Sequence, residues 1–526
     1  MKAFTWIVSS AVVLLLCATA EAQTGNTATG SLALGANTTG SNNTADGYQA
    51  LTTNTAGSNN SAVGYEALDL NQTGNSNTCT GYQTLTFNTT GNSNTADGVW
   101  AMEFNTSGSN GTAFGYQSLQ ANRTGVNNTA FGYNAMLVSG TGSDNAAFGF
   151  TALFENGTGV QNTAIGYRAL DDNSAGAFGV QTNLAGNYNT AIGYEANYLN
   201  YDANGDVSSG YDAMFDIFQG GDNVGMGYFA MISAYQMTGA VVLGYEALLR
   251  ASSGDFNIAV GNQSANAGQI GDPSVVIGSG SAQDAQFIAG LTAVGADASP
   301  NYRGEFTTAV GADAMYNTAG LPFYSSGEYS IGIGYYAGYL PNGGASNIDI
   351  VNTGEAADVA VSRLGTVGTH TRAFLAGVDG TTIAGGVPVY VVSGTGQLGV
   401  ETSSARFKTD IADLGSASEC ILRLRPVVYR YRPDLDPRGT SQFGLVAEEV
   451  EKVSPDLVVH DQNGRALTVR YEAVNAMLLN EVRKEHDTVV QQEVSIAAHQ
   501  AEIAALGARL GALEAAAAQT LGNSSK

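Results

Sequence analysis

Apolar and polar positions alternate in short runs along most of this chain, and the alternation restarts on a fixed period. Glycine marks that period. Gly30, Gly47, Gly64, Gly81, Gly98, Gly115, Gly132, Gly149 and Gly166 lie 17 residues apart, and Gly193, Gly210, Gly227, Gly244, Gly261, Gly278 and Gly295 repeat the interval. Two residues before the glycine stands a small apolar residue, as at Ala45, Ala62, Ala96 and Ala113. Four residues after it stands a large one, as at Leu51, Leu68, Leu85 and Met102. The residue just after it is usually aromatic, from Tyr48 to Tyr167. Short alternating runs separated by turn residues predict strands. Two short strands per unit predict one coil of a parallel β-solenoid, and a fixed period of this size predicts a stacked array. Roughly 19 such coils at about 4.7 Å each would make a rod on the order of 90 Å.

Polar columns supply the turns. Asn43, Asn60, Asn77, Asn94, Asn128, Asn145 and Asn162 stand four residues before the glycine, with Gly111 in the same column. Asn and Gly tolerate positive φ best, so this column predicts a tight turn. A second glycine column (Gly40, Gly57, Gly74, Gly91) follows ten residues after the first, preceded by Asn37, Asn54, Asn71 and Asn88. These asparagines read as turns and as ladders between coils. No proline occurs before Pro273, as a continuous ladder requires. The tyrosines have two readings, packing between coils or chains, and a sugar-stacking stripe.

The C-terminal pattern is helical. Val482, Val489, Ile496, Ile503 and Leu510 are seven apart, with Leu478, Leu506 and Leu513 on the partner position and Glu485, Gln492 and His499 as polar layers. That is an a/d seam. At the other end, Met1-Lys2, the apolar run Trp6–Cys17 and Ala20-Glu21-Ala22 predict a secretory signal cleaved before Gln23. The expected organisation is a signal at 1–22, a repeat head or stalk at 23–348, and a β-rich connector at 349–402. A small α+β domain at 403–470 and a coiled-coil helix and tail at 471–526 follow.

Charge separates the parts. Residues 23–402 carry 6 basic and 28 acidic side chains, a net −22, whereas 403–526 carry 14 and 17, a net −3. A rod with no lysine does not suit phosphate backbones, so nucleic acid is excluded as a partner. The acids do not recur in one column, so no metal site and no cofactor is expected. The three cysteines, Cys17, Cys79 and Cys420, form no disulfide framework. No segment after the signal approaches a membrane span, so no transmembrane anchor is expected.

The Asn-Thr-Ala-x-Gly-Tyr-x-Ala-Leu unit over residues 26–340 resembles the YadA-like head repeats of trimeric autotransporter adhesins. That resemblance implies a left-handed β-roll and a homotrimer; the 17-residue unit is longer than those heads usually use. The segment from Ser403-Ser404-Ala405-Arg406-Phe407-Lys408 onward resembles the intramolecular chaperone domain of phage tail spikes and endosialidases. Leu424-Arg425-Pro426-Val427-Val428-Tyr429, Gly444–Val450, Pro455, Val458 and Val469-Arg470-Tyr471 carry the likeness. It implies a chaperone that folds its partner rod as a trimer and cuts itself off with a Ser–Lys dyad. Ser403 falls on the nucleophile, Lys408 on the base, and Thr402–Ser403 on the scissile bond. Arg406 falls on a position expected to hold a carboxylate. Ser404 stands where the family usually has an acid or amide. The same residues also read as an uncleaved cap. The functional expectation is a secreted, extracellular fibrous trimer for adhesion or surface display, with a glycan or protein of some surface as ligand. No enzymatic action on other molecules is expected. The alternatives are a phage-like fibre or spike that binds a polysaccharide, and a structural sheath.

Overall fold

The computed structural model describes residues 24–523, apart from 174–185, 202, 251–253, 267–272, 286–288, 302–304, 317–328, 340–344, 356–357, 377–384, 393 and 462. The signal sequence expected at 1–22 lies outside the described residues. The chain divides into two units, 1–366 and 367–526.

The first unit is a parallel β-solenoid. Each coil contributes one three-residue strand to a 20-stranded sheet. Identical columns pair in register: Ala45 faces Ala62, Ala62 faces Cys79, and Cys79 faces Ala96. Between the two end strands the middle residue of each strand is buried and its neighbours are more exposed, as the alternation predicts. The ladder runs on through Ile348–Ile350 and Ser362–Leu364.

Two strands per coil, however, form only locally. Leu199–Asn200, Ala203–Asn204, Asp216–Gly221 and Ser233–Thr238 make a second, four-stranded sheet. Elsewhere the second side shows isolated bridges at most, and in coils with and without the second sheet the turn leading to it is built from left-handed residues. Gln49 and Leu51 have φ of 55° and 52°, and Glu66 and Leu68 repeat them at 52° and 54°. The large aliphatic thus reaches the core from a positive-φ backbone. β-branched residues tolerate that region worst, and the column holds Leu and Met where Val or Ile would serve a strand.

The asparagine column proves to be a ladder and not the positive-φ position. The left-handed residue is the one before it: Asn42, Asn59, Ser76 and Ser93 have φ between 57° and 61°. Asn60 Nδ2 donates to Gly74 O at 2.8 Å, and its main-chain N–H donates to Asn43 Oδ1 at 3.0 Å. The second column works likewise: Asn71 Nδ2 donates to Asn54 Oδ1 at 2.7 Å and to Gly74 O at 3.0 Å. Buried amides must find such partners. Gly111 is tolerated because the long Met102 side chain fills its place, with Cε 2.5 Å from where a Cβ would stand. The main glycine column is fixed by contact: a Cβ on Gly47 would lie 2.2 Å from Gly64 O, at φ 142°.

Two variants test this reading by denaturant unfolding. Ala113 is fully buried, so Ala113→Leu is expected to overpack the coil and cost roughly 1–3 kcal/mol. Asn128→Gly strips the partner from Gly142 O (2.7 Å) and from Asn145 N (3.0 Å). Leu119, nine residues before it, is shorter than Met102 and cannot fill the gap. The expected cost is about 1–3 kcal/mol for each stranded buried group, and a silent Asn128→Gly would contradict the ladder.

Apolar residues fill the solenoid in two clusters, one from Ala45 to Ala196 and one from Ala203 to Met315. Beyond them polar groups enter the core column. Asp349 pairs in register with Arg363, which binds Asp358 at 2.6 and 2.8 Å and Glu355 at 3.3 Å.

The second unit has a small core of Val450, Leu457, Val458 and Val469, with Ile421, Leu424, Val474 and Met477 packed against it. Three short antiparallel hairpins contribute: Tyr390–Val391 with Leu398–Gly399, Val427–Tyr429 with Gln442–Gly444, and Val458–His460 with Ala466–Val469. A helix spans Ala447–Val453, and a 53-residue helix runs from Tyr471 to Asn523.

Candidate functional site

The motifs of the C-terminal module fall at its structural turning points. Val427–Tyr429 is a strand, Ala447 opens the short helix, Pro455 opens a 3-10 turn, and Tyr471 opens the long helix. Glu448 and Glu449 occupy the first helical turn, where the helix dipole favours acids. Arg425 grips Glu449 with two contacts, at 3.0 and 2.6 Å, and holds that carboxyl below its usual range. The Tyr471 hydroxyl accepts the Leu445 N–H at 3.1 Å, tying the long helix to the loop before the short one.

The long helix is docked at its start by a polar cluster. Ser418 is fully buried and donates to Glu481 Oε1, while Asn480 Nδ2 donates to Ser418 Oγ at 2.7 Å. Lys484 bridges Glu481 at 2.8 Å and Glu419 at 3.3 Å. Sequence reading missed this cluster, because Ser418 and Glu481 are 63 residues apart and share no motif.

Ser403 lies in an extended stretch just before the 3-10 turn Ala405–Phe407, and Lys408 follows that turn. The turn is closed by Phe407 N–H to Ser404 O at 3.0 Å and Lys408 N–H to Ala405 O at 3.1 Å. Residues 401–410 are all exposed on the single chain. The five-residue spacing thus spans one tight turn, with both side chains open to solvent. Arg406 takes a different neighbour from the one expected: its guanidinium carbon lies 4.6 Å over the Phe407 ring. Phe407 and Ile411, on either side of Lys408 in the sequence, are 60% and 70% exposed.

The aromatic column of the solenoid has a geometry that chooses between its two readings. Tyr48, Tyr65 and Tyr82 stack with centroids 5.3 and 5.0 Å apart and planes within 16° of parallel. Tyr167, Tyr194 and Tyr211 stack at 4.8 and 4.7 Å. Rings stacked on each other cover their faces and leave only edges outward. Sugar stacking needs free faces, so this column favours packing between coils, each pair contributing about 0.5–1.5 kcal/mol.

Among the described residues no group of His, Cys, Asp or Glu could hold a metal, and no helix is long and apolar enough to cross a membrane. No curated protein matches the chain. Residues 403–459, which hold Ser403, Lys408, the hairpin of Val427–Tyr429 with Gln442–Gly444 and the helix Ala447–Val453, match the family model described as chaperone of endosialidase.

Proposed function

We propose that this is a secreted fibrous protein of the tail-spike or adhesin kind, whose C-terminal module assembles three solenoids side by side. In this reading the module then releases itself at Thr402–Ser403. The observation that carries it is the long helix. Val482, Val489, Ile496, Ile503 and Leu510 are 45–68% exposed along one seam, with Leu478, Leu506 and Leu513 beside them. A helix of 53 residues has no stable reason to present that seam to water. Association of three copies buries it, in line with a family described as chaperone. The solenoid supports the same reading with an outward aliphatic column, Ile165, Ile192, Met226 and Ile277, each about 40% exposed. A YadA-like left-handed roll accommodates such a column between neighbouring chains.

Self-cleavage belongs to the assembled state. A lysine acts as a base only when water is kept from its amine. Covering Phe407 and Ile411 by a neighbouring chain would supply that, and the matching family is designated a peptidase as well as a chaperone. The ligand class is a glycan or protein of an external surface, met through the sides of the assembled fibre.

The seam is tested by Ile496→Asp with Ile503→Asp. Two charges per chain in an apolar layer are expected to dissociate or prevent the oligomer, read by sedimentation velocity. An oligomer of unchanged size and stability would remove the long helix from the assembly.

A further inference from the structure

The two apolar clusters of the solenoid meet at the coil 186–209, and that coil is polar inside. Asn197 stands in the column that Leu170 and Met214 fill on either side, and Ser208 stands in the alanine column. Asn197 is fully buried, and neither its Oδ1 nor its Nδ2 has a partner. Asp206 replaces asparagine in the first ladder. It is fully buried, its N–H donates to Asn189 Oδ1 at 2.9 Å, and its Oδ1 accepts the Asn223 N–H at 3.0 Å. Its Oδ2 has no partner.

Register shows what that oxygen faces. On the coil before, Asn189 Nδ2 donates to Ala203 O at 3.0 Å; on the coil after, Asn223 Nδ2 donates to Met237 O at 3.0 Å. Ala203, Gly220 and Met237 pair in register, so Gly220 O is the acceptor for position 206. An amide nitrogen belongs there. A carboxylate would set oxygen against oxygen in a dry core.

We propose that Asp206 is carried in the folded solenoid as a neutral carboxylic acid whose Oδ2 donates to Gly220 O. Its ionisation then loosens the coil where the two apolar clusters meet. One proton makes the acid equivalent to the asparagines above and below it. A cation is a poor substitute, because calcium asks for six to eight oxygens and this interior offers far fewer. Burial pushes the Asp206 carboxyl up to about 7, against the two bonds from Asn223 that lower it. Among the described residues, the charged group that acts on it through space is Asp222 of the next coil, which raises it further. The acid is therefore neutral in the folded state well above its unfolded value of 3.8. The stability it contributes is complete below about pH 4 and is lost as pH rises towards 7. Sequence alone holds the clue, an aspartate in an asparagine column, but not the buried oxygen that gives it meaning.

Hydrogen exchange of the full chain at matched pH tests this, since intrinsic rates then cancel between variants. Between pH 5 and pH 8 the ratio of wild-type to Asp206→Asn exchange rates for amides of 186–226 should rise by a factor on the order of 100. A ratio that stays constant across this range would mean that position 206 carries no pH-dependent stability. Asp171 and Asp212 are also raised, to about 6, but they are common to both proteins and drop out of the ratio. Asp206→Ala, which copies Ala240 of the same column, should show the same pH-independence and serves if the asparagine variant folds poorly. Equal rates at both pH values would overturn the proposal. So would slower wild-type exchange at pH 8 on adding calcium or sodium, since a cation would then hold the ionised acid.

Discussion

Ser403→Ala is expected to give one intact chain where the wild type gives two fragments, one ending at Thr402 and one beginning at Ser403. The effect is close to all-or-none, because removing a covalent nucleophile costs a factor on the order of 10³ or more in rate. Lys408→Ala should act the same way by removing the base. Ser404→Ala should leave cleavage standing, as Ser404 stands next to the nucleophile position and not on it. The physical requirement is a dry, aligned pair. A single 3-10 turn separates the two residues along the chain, and one intramolecular turnover needs no diffusion. Both are exposed on the lone chain, so the expected cut would require a cover from a neighbouring chain. Cleavage after assembly would also make assembly hard to reverse, since the detached chaperone cannot template refolding. N-terminal sequencing of the small fragment decides the matter. An uncleaved wild-type chain in mature oligomers would reduce the module to a cap.

Removing residues 403–526 before folding is expected to turn most of the solenoid into aggregate. Its strands are three residues long, so each depends on the coils above and below it. A partly built stack offers unpaired N–H and C=O groups at each end, which template wrong pairings. The outward column of Ile165, Ile192 and Met226 adds apolar surface to the same hazard. A chaperone that sets three chains in register before stacking begins removes both problems. The soluble yield should fall severalfold against Ser403→Ala, which keeps the module attached. A deleted chain that folds into a soluble assembly of the same size as the full one would show the module to be dispensable.

The repeat was the most legible part of this chain. Sidedness followed from Ala45 and Leu51 and their equivalents, because core columns need one size of side chain in every coil. Backbone conformation was harder. Asn and Gly alternate at 94 and 111, which suggests a shared need for positive φ; in fact Gly111 survives because Met102 fills its space. The left-handed positions fall on Gln49 and Leu51, residue types that do not announce such a backbone. Two strands per coil were expected, and most of the described coils have one. In the C-terminal module, strand and helix starts were readable because Leu424–Tyr429, Gly444–Val450 and Pro455 carry a family resemblance that places them. The exposure of Ser403 and Lys408 was not, since spacing along a chain says nothing about solvent. The Ser418–Glu481 contact was invisible for a related reason: tertiary contacts between distant residues leave no local pattern.

Assembly of three chains is the central expectation for this protein. Light scattering on the purified full-length Ser403→Ala protein, which keeps head and module in one chain, measures that directly. A mass three times that of the 54.0 kDa chain, less any signal removed, is the predicted result. A stable monomer, with the helical seam and the outward aliphatic column left in water, would contradict it.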